Sequence, residues 1–181
     1  MWISPQTARD VFELDELYWF IQRKGKGETR ENIYICTMIS REPRQIVGFS
    51  AANDKSPERI QGIVDSAPDV DNYCTDGYLG YIDVAYPGKH IRNARDKSDT
   101  FTVEGINADL RHYIPVLARK SRCFCRTLGT LLAVLAVFVN AYNKFGEAKM
   151  KYRIPTKHKL LKCSKHLHKY RDVPFSVLDF L

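Results

Sequence analysis

The alternation of apolar and polar positions is clearest in the first third of the chain. Val11 to Ile21 (VFELDELYWFI) is dense in aliphatic and aromatic residues with acids set between them, and predicts a strand. Gly25-Lys26-Gly27 predicts a turn. Asn32 to Ser40 (NIYICTMIS) predicts a second strand, with Ile33, Ile35 and Thr37 on one face and Tyr34, Cys36 and Met38 on the other. After Arg41-Glu42-Pro43-Arg44, the run Gln45 to Ala52 (QIVGFSAA) predicts a third. Three such runs joined by short turns predict an antiparallel meander.

The period then changes. Ser56-Pro57-Glu58 combines a capping residue, a proline at the first helical position and an acid in the first turn. Ile60, Ile63 and Val64 supply an apolar stripe, which Pro68 closes. Residues 70–76 predict a fourth strand, Tyr78 to Tyr86 a short helix, and His90 to Ala94 a fifth strand. A polar segment leads to a helix carrying Glu104, in which Gly105 weakens helix propensity and Pro115 predicts a kink. Three strands, then helix, strand, helix, strand and terminal helices, is an α/β order. It is the order of the ribonuclease H-like fold, a mixed sheet with helices on both faces.

Leu128 to Val139 (LGTLLAVLAVFV) is the most hydrophobic stretch, bracketed by Arg126 and Lys144. Its length falls short of a bilayer span, and a buried helix from about Cys125 to Lys149 is expected instead. The expected organisation is one catalytic domain over 1–150 and a basic arm over 151–181. A chain of 181 residues with 44% apolar and 27% charged content suits one globular domain. No basic segment followed by an apolar run opens the sequence, so no signal peptide is expected. Five irregularly spaced cysteines fit reduced thiols rather than a disulfide framework, which points to the cytoplasm. Cys123 with Cys125, and Cys163 with His166 and His168, match no standard zinc-finger spacing.

The net charge of +7 is unevenly distributed. Residues 1–110 carry 13 Lys/Arg against 18 Asp/Glu, whereas residues 111–171 carry 15 Lys/Arg and one acid, Glu147. An acidic half followed by a basic half is expected where one part holds cations and the other meets phosphates.

Three acids fall where that chemistry needs them. Asp15 lies inside the first strand, Asp76 ends a later one, and Glu104 opens a helix. Sixty residues separate the first two and 27 the second pair. Carboxylates drawn together from two strands and a helix can hold two divalent cations about 3.5–4 Å apart, a pair that activates a nucleophile and stabilises the leaving oxygen in phosphodiester transfer. Asn107 and Arg111 follow Glu104 at i+3 and i+7 on the same helix face. Asn107 is a candidate to bond the metal shell or a base, and Arg111 a phosphate. Arg119, Lys120, Arg122 and Arg126 form the densest cationic cluster, a candidate contact for DNA backbone. Glu13, Glu16 and Asp71 are read as turned away from the site on strand alternation, Asp83 as exposed, and His112 as a surface histidine.

Leu14-Asp15-Glu16-Leu17, Thr75-Asp76-Gly77-Tyr78, Glu104-x-x-Asn107-x-x-Leu110-Arg111 and Arg119-Lys120-Ser121, in that order, resemble the catalytic domain of the bacterial insertion-sequence-one family of transposases, of the DDE class. The resemblance runs from about Phe12 to Glu147. It implies that Asp15, Asp76 and Glu104 are the catalytic metal ligands and that the cofactor is two Mg²⁺ or Mn²⁺ ions. It further implies hydrolysis at element ends and attack of the released 3′-hydroxyl on target DNA, without a covalent enzyme intermediate. The partners implied are DNA and a second copy of the chain, at the bacterial nucleoid and away from membranes. The zinc-finger and helix-turn-helix region of complete family members does not precede Phe12, so the chain is expected to be a second-reading-frame product whose end recognition comes from a partner. Two other readings stand beside this one: a different ribonuclease H-like nuclease or junction resolvase, and a non-enzymatic DNA-binding or regulatory remnant.

Overall fold

The computed structural model describes residues 10–23, 29–94, 99–118 and 123–151. The described residues up to Glu147 belong to one compact unit, and those from Ala148 on to a second. The turn expected at Gly25–Gly27 and the arm beyond Lys151 lie outside the described residues.

Five strands, β1 (Val11–Arg23), β2 (Thr29–Ser40), β3 (Gln45–Ala52), β4 (Asn72–Thr75) and β5 (Lys89–Arg92), form one mixed sheet in the order β3-β2-β1-β4-β5. The β1–β2 and β2–β3 pairs are antiparallel, as the meander predicts, and β1–β4 and β4–β5 are parallel. Three α-helices accompany it: α1 (Pro57–Asp65), α2 (Phe101–Tyr113) and α3 (Leu128–Lys151).

Alternation along β1 divides the core into two layers. Phe12 and Leu14 face one way and pack with Cys36, Met38 and Val47 against Ile60, Ile63 and Val64 of α1. Leu17, Trp19 and Ile21 face the other way, joining Ile33 and Ile35 under Leu110 of α2 and Leu131 and Leu135 of α3. The sheet therefore has helices on both faces. α1 approaches β3 closely at Gly48, where an added Cβ would lie 2.5 Å from Ile63 Cγ2. Only glycine admits that contact without displacing the helix.

Leu131, Leu135 and Val139 recur at fourfold spacing and form the buried stripe of α3, in place of a bilayer-facing surface. Among the described residues no helix is long and apolar enough to cross a membrane. Asn143 of α3 clamps the backbone of Ile46, accepting from its N–H at 2.8 Å and donating to its carbonyl at 2.7 Å. β3 is an edge strand, so this side chain caps part of an otherwise open edge.

Several local expectations shift. Ser56 occupies the cap position of α1, but its side chain makes no capping hydrogen bond. The helix expected over Tyr78–Tyr86 reduces to a 3₁₀ turn at Leu79–Tyr81. Gly77 and Gly80 disfavour helix there, and Tyr78 is extended because Asp76 Oδ1 holds its N–H at 2.8 Å. Pro115 does not kink α2 but follows its end: Ile114, the residue before it, is extended, and a 3₁₀ turn starts at the proline. α3 begins at Leu128 rather than Cys125, with Thr127 Oγ1 accepting the Thr130 N–H at 3.2 Å.

Candidate metal centre

The site forms where β4 stops. β4 pairs with β1 only from Val11 to Leu14, so Asp15 is the first residue of β1 without a partner on that side. Asp76 is the residue just past β4, alongside the same gap. Two carboxylates thus meet at the end of a parallel pair, as ligand groups do in open α/β sheets.

On the other side of β1, Asp15 is paired in register with Thr37 of β2. A hydrogen-bonded chain runs from Thr37 Oγ1 to Asn107 Oδ1 at 2.9 Å, and from Asn107 Nδ2 to Asp15 Oδ2 at 2.9 Å. Asn107 is buried, and both ends of its amide are engaged in this chain. Its place is behind Asp15, orienting that carboxylate from α2, rather than at a base. Glu104, one turn earlier on α2, lines the same open cleft as Asp15, Glu16, Arg111 and His112. Arg111 donates from Nη2 to the Tyr18 carbonyl at 3.4 Å.

The two glutamates flanking Asp15 need correction, each for its own reason. Glu13 is two residues away, so alternation puts it on the same face as Asp15, not the opposite one. It stays outside the site because it is fully buried and used elsewhere: Oε1 accepts from Arg41 Nε at 2.6 Å, and Oε2 from the Val103 N–H of α2 at 2.8 Å. Glu16 does face the α1 side, but β4 no longer pairs with β1 at this point, and the Glu16 carboxylate lies close to those of Asp15 and Asp76. Oxygens of Asp15, Glu16 and Asp76 all lie within 4.8 Å of one another, a group that can hold a metal ion. Glu104 is not in that close group, although its charge reaches Asp15.

Burial raises the Asp15 carboxyl above its ordinary value; the Asn107 amide and the Glu16 backbone N–H oppose this, and the charges of Asp76 and Glu104 add to it. Burial also raises Glu16, against the Tyr81 hydroxyl and the Lys55 ammonium. Acids that resist ionisation chiefly through burial, with other acids beside them, are a recognised mark of functional sites.

No protein-family model matches the chain, and a search of curated proteins returns no match.

The donor set therefore decides what the site can hold. It consists of carboxylate oxygens at a solvent-open cleft, which suits a hard cation such as Mg²⁺ or Mn²⁺. Of the cationic cluster, Arg126 is exposed in the loop before α3, while Arg119, Lys120 and Arg122 lie outside the described residues. Cys163, His166 and His168 do as well; Cys125 is buried and Cys123 exposed. His112 is exposed on the cleft wall, and Asp71 and Asp83 are exposed. Reading residues one at a time missed Glu16, Thr37 and Lys55. For Thr37 a signal existed, since it is a polar residue on the apolar face of the second strand.

Proposed function

We propose that this chain is a ribonuclease H-like catalytic domain that performs metal-dependent phosphodiester chemistry on DNA, as a DDE-class transposase does. It would hydrolyse a strand at an element end and join the freed 3′-hydroxyl to target DNA. The observation that carries the reading is that two other acids approach Asp15: Asp76 within the close group of oxygens, and Glu104 on the wall of the cleft that Asp15 lines. Asp15 sits on the central strand, Asp76 just past the end of its parallel neighbour, and Glu104 on the helix that lines the cleft. The strand order, with β1 antiparallel to β2 and parallel to β4, supports the fold half of the proposal. The basic composition after residue 110 supports the DNA half.

A divalent pair bound at such carboxylates supplies Lewis-acid polarisation of the phosphate and activation of the attacking oxygen. The chain's own residues do the rest. Asp15 and Asp76 provide oxygens from a rigid sheet, and Glu104 provides one from α2. Asn107 fixes the Asp15 carboxylate through Thr37, which keeps the ligand in place as charge develops. Arg111, on the cleft wall, offers a planar cation for a phosphate oxygen. No protein nucleophile is required.

The test uses labelled duplex DNA with Mn²⁺. Wild-type chain should nick the substrate, and Asp15→Asn, Asp76→Asn and Glu104→Gln should each reduce nicking by orders of magnitude while retaining DNA affinity. Cleavage that survives any one of these changes excludes that residue. Nicking without joining of a 3′-hydroxyl end to a second duplex would favour a nuclease over a transposase.

A further inference from the structure

Glu16 is the least satisfied acid beside the site. Its side chain is 8% exposed, and Oε1 is buried with no hydrogen-bond partner among the described residues. Oε2 stands 3.6 Å from Lys55 Nζ, longer than a charge-assisted hydrogen bond. A buried carboxylate oxygen left in this state costs free energy that water or a hydrogen-bond donor would otherwise return. The carboxylate is also within 4.8 Å of oxygens from both Asp15 and Asp76. Two oxygens bound at about 2.1 Å to one ion lie no more than about 4.2 Å apart. Small side-chain adjustments therefore suffice to bring the three onto one cation.

Lys55 is held at this place from three sides. Its ammonium lies over the Tyr78 ring at 3.6 Å and 5.6 Å from the Tyr34 ring, and its carbonyl accepts from the Tyr78 hydroxyl at 3.2 Å. Tyr78 is itself tied to Asp76 through its N–H. The cation nearest Glu16 is thus attached to the same turn that presents Asp76.

We infer that Glu16 is a third carboxylate ligand of the cation shared by Asp15 and Asp76, and that Lys55 is its counter-ion when the metal is absent. The inference rests on the metal-dependent reading above and adds a residue to it. A divalent ion and an ammonium then compete for one carboxylate, and metal affinity reflects the balance. The two rings keep Lys55 in position when the ion takes Glu16.

The experiment is calorimetric titration of Mn²⁺ into the full chain, with no DNA and no turnover, for wild type, Glu16→Gln, Lys55→Met and Asp76→Asn. Glu16→Gln should weaken binding at least about tenfold. Lys55→Met should tighten it about two- to fivefold, the range for losing one partly exposed ion pair. The double variant should behave like Glu16→Gln. Circular dichroism establishes that each variant is folded; if Glu16→Gln does not fold, the sign of the Lys55→Met effect decides. Wild-type affinity in Glu16→Gln, with binding abolished in Asp76→Asn, overturns the role of Glu16 and leaves the metal-dependent reading standing. Unchanged or weaker affinity in Lys55→Met overturns the competition. No binding by wild type overturns both.

Discussion

Glu13 and Glu16 stand three residues apart on one strand, Glu13 fully buried and the Glu16 side chain largely so, yet they meet opposite surroundings. Glu13 lies where β1 has strands on both sides, and each of its oxygens has a donor: Arg41 on one, the Val103 N–H on the other. Glu16 lies past the end of β4, with one oxygen buried and unbonded and two other carboxylates close by. A buried charge with all its partners in place is a structural joint. A largely buried carboxylate with one oxygen unbonded, beside others of the same sign, is where the proposed cation would be held. The difference follows from the four-residue length of β4, which closes the sheet around one residue and leaves it open at the other.

Removing the joint should have the strongest consequence. Glu13→Ala leaves Arg41 without its carboxylate and the first turn of α2 without its acceptor, so the loss should be about 3 kcal/mol, near the low end for a broken buried pair because Arg41 keeps some solvent. In a chain of this size that lowers Tm by roughly 6–12 °C, measurable by thermal unfolding. A loss as small as that of an exposed ion pair would show that Glu13 is not a joint. Glu16→Gln should show no comparable loss in the metal-free protein.

A smaller effect is expected from the chain behind Asp15. Asn107→Ala and Thr37→Val should each weaken Mn²⁺ binding by about tenfold, the scale for groups that orient a metal ligand without touching the metal. Thr37→Val keeps the side-chain shape, so a change in affinity without a change in Tm would separate orientation from packing. Equal affinity in wild type and both variants would remove Asn107 and Thr37 from the site.

The smallest effect, and the one that most sharpens the contrast, is pH dependence. The Asp15 and Glu16 carboxyls are held above their ordinary values by burial first, and by neighbouring acids. A folded-state value above the unfolded one means that the fold binds the proton more tightly. The resulting stability is fully present below the ordinary carboxylate range and is lost as pH rises through the raised values. Without metal, Asp15→Asn lacks this dependence, so the Tm difference between variant and wild type should grow as pH rises from about 4 towards neutrality. Saturating Mn²⁺ should cancel or reverse that difference, because the ion stabilises the ionised site of the wild type alone. A gap independent of pH would mean that neither burial nor the neighbouring acids raise the Asp15 carboxyl.

The order of strands and helices was legible in the sequence because it is written locally. Alternation marked β1, β2 and β3, the Ser-Pro-Glu start marked α1, and the apolar run Leu128 to Val139 marked α3 as a core helix. The acids Asp15, Asp76 and Glu104 were legible as candidates because few functions require carboxylates at a strand centre, a strand end and a helix start. Tertiary structure alone decided which acids converge. Strand alternation assigns Glu16 to the face opposite Asp15, and its side chain does start there. Facing away did not keep Glu16 from Asp15 and Asp76, because β4 ends after Thr75 and leaves that side of β1 open, and a strand's length depends on packing across the whole sheet. The roles of Asn107 and Thr37 were decided in the same way, since their contacts span 92 and 70 residues of chain and exist only once α2 lies on the sheet.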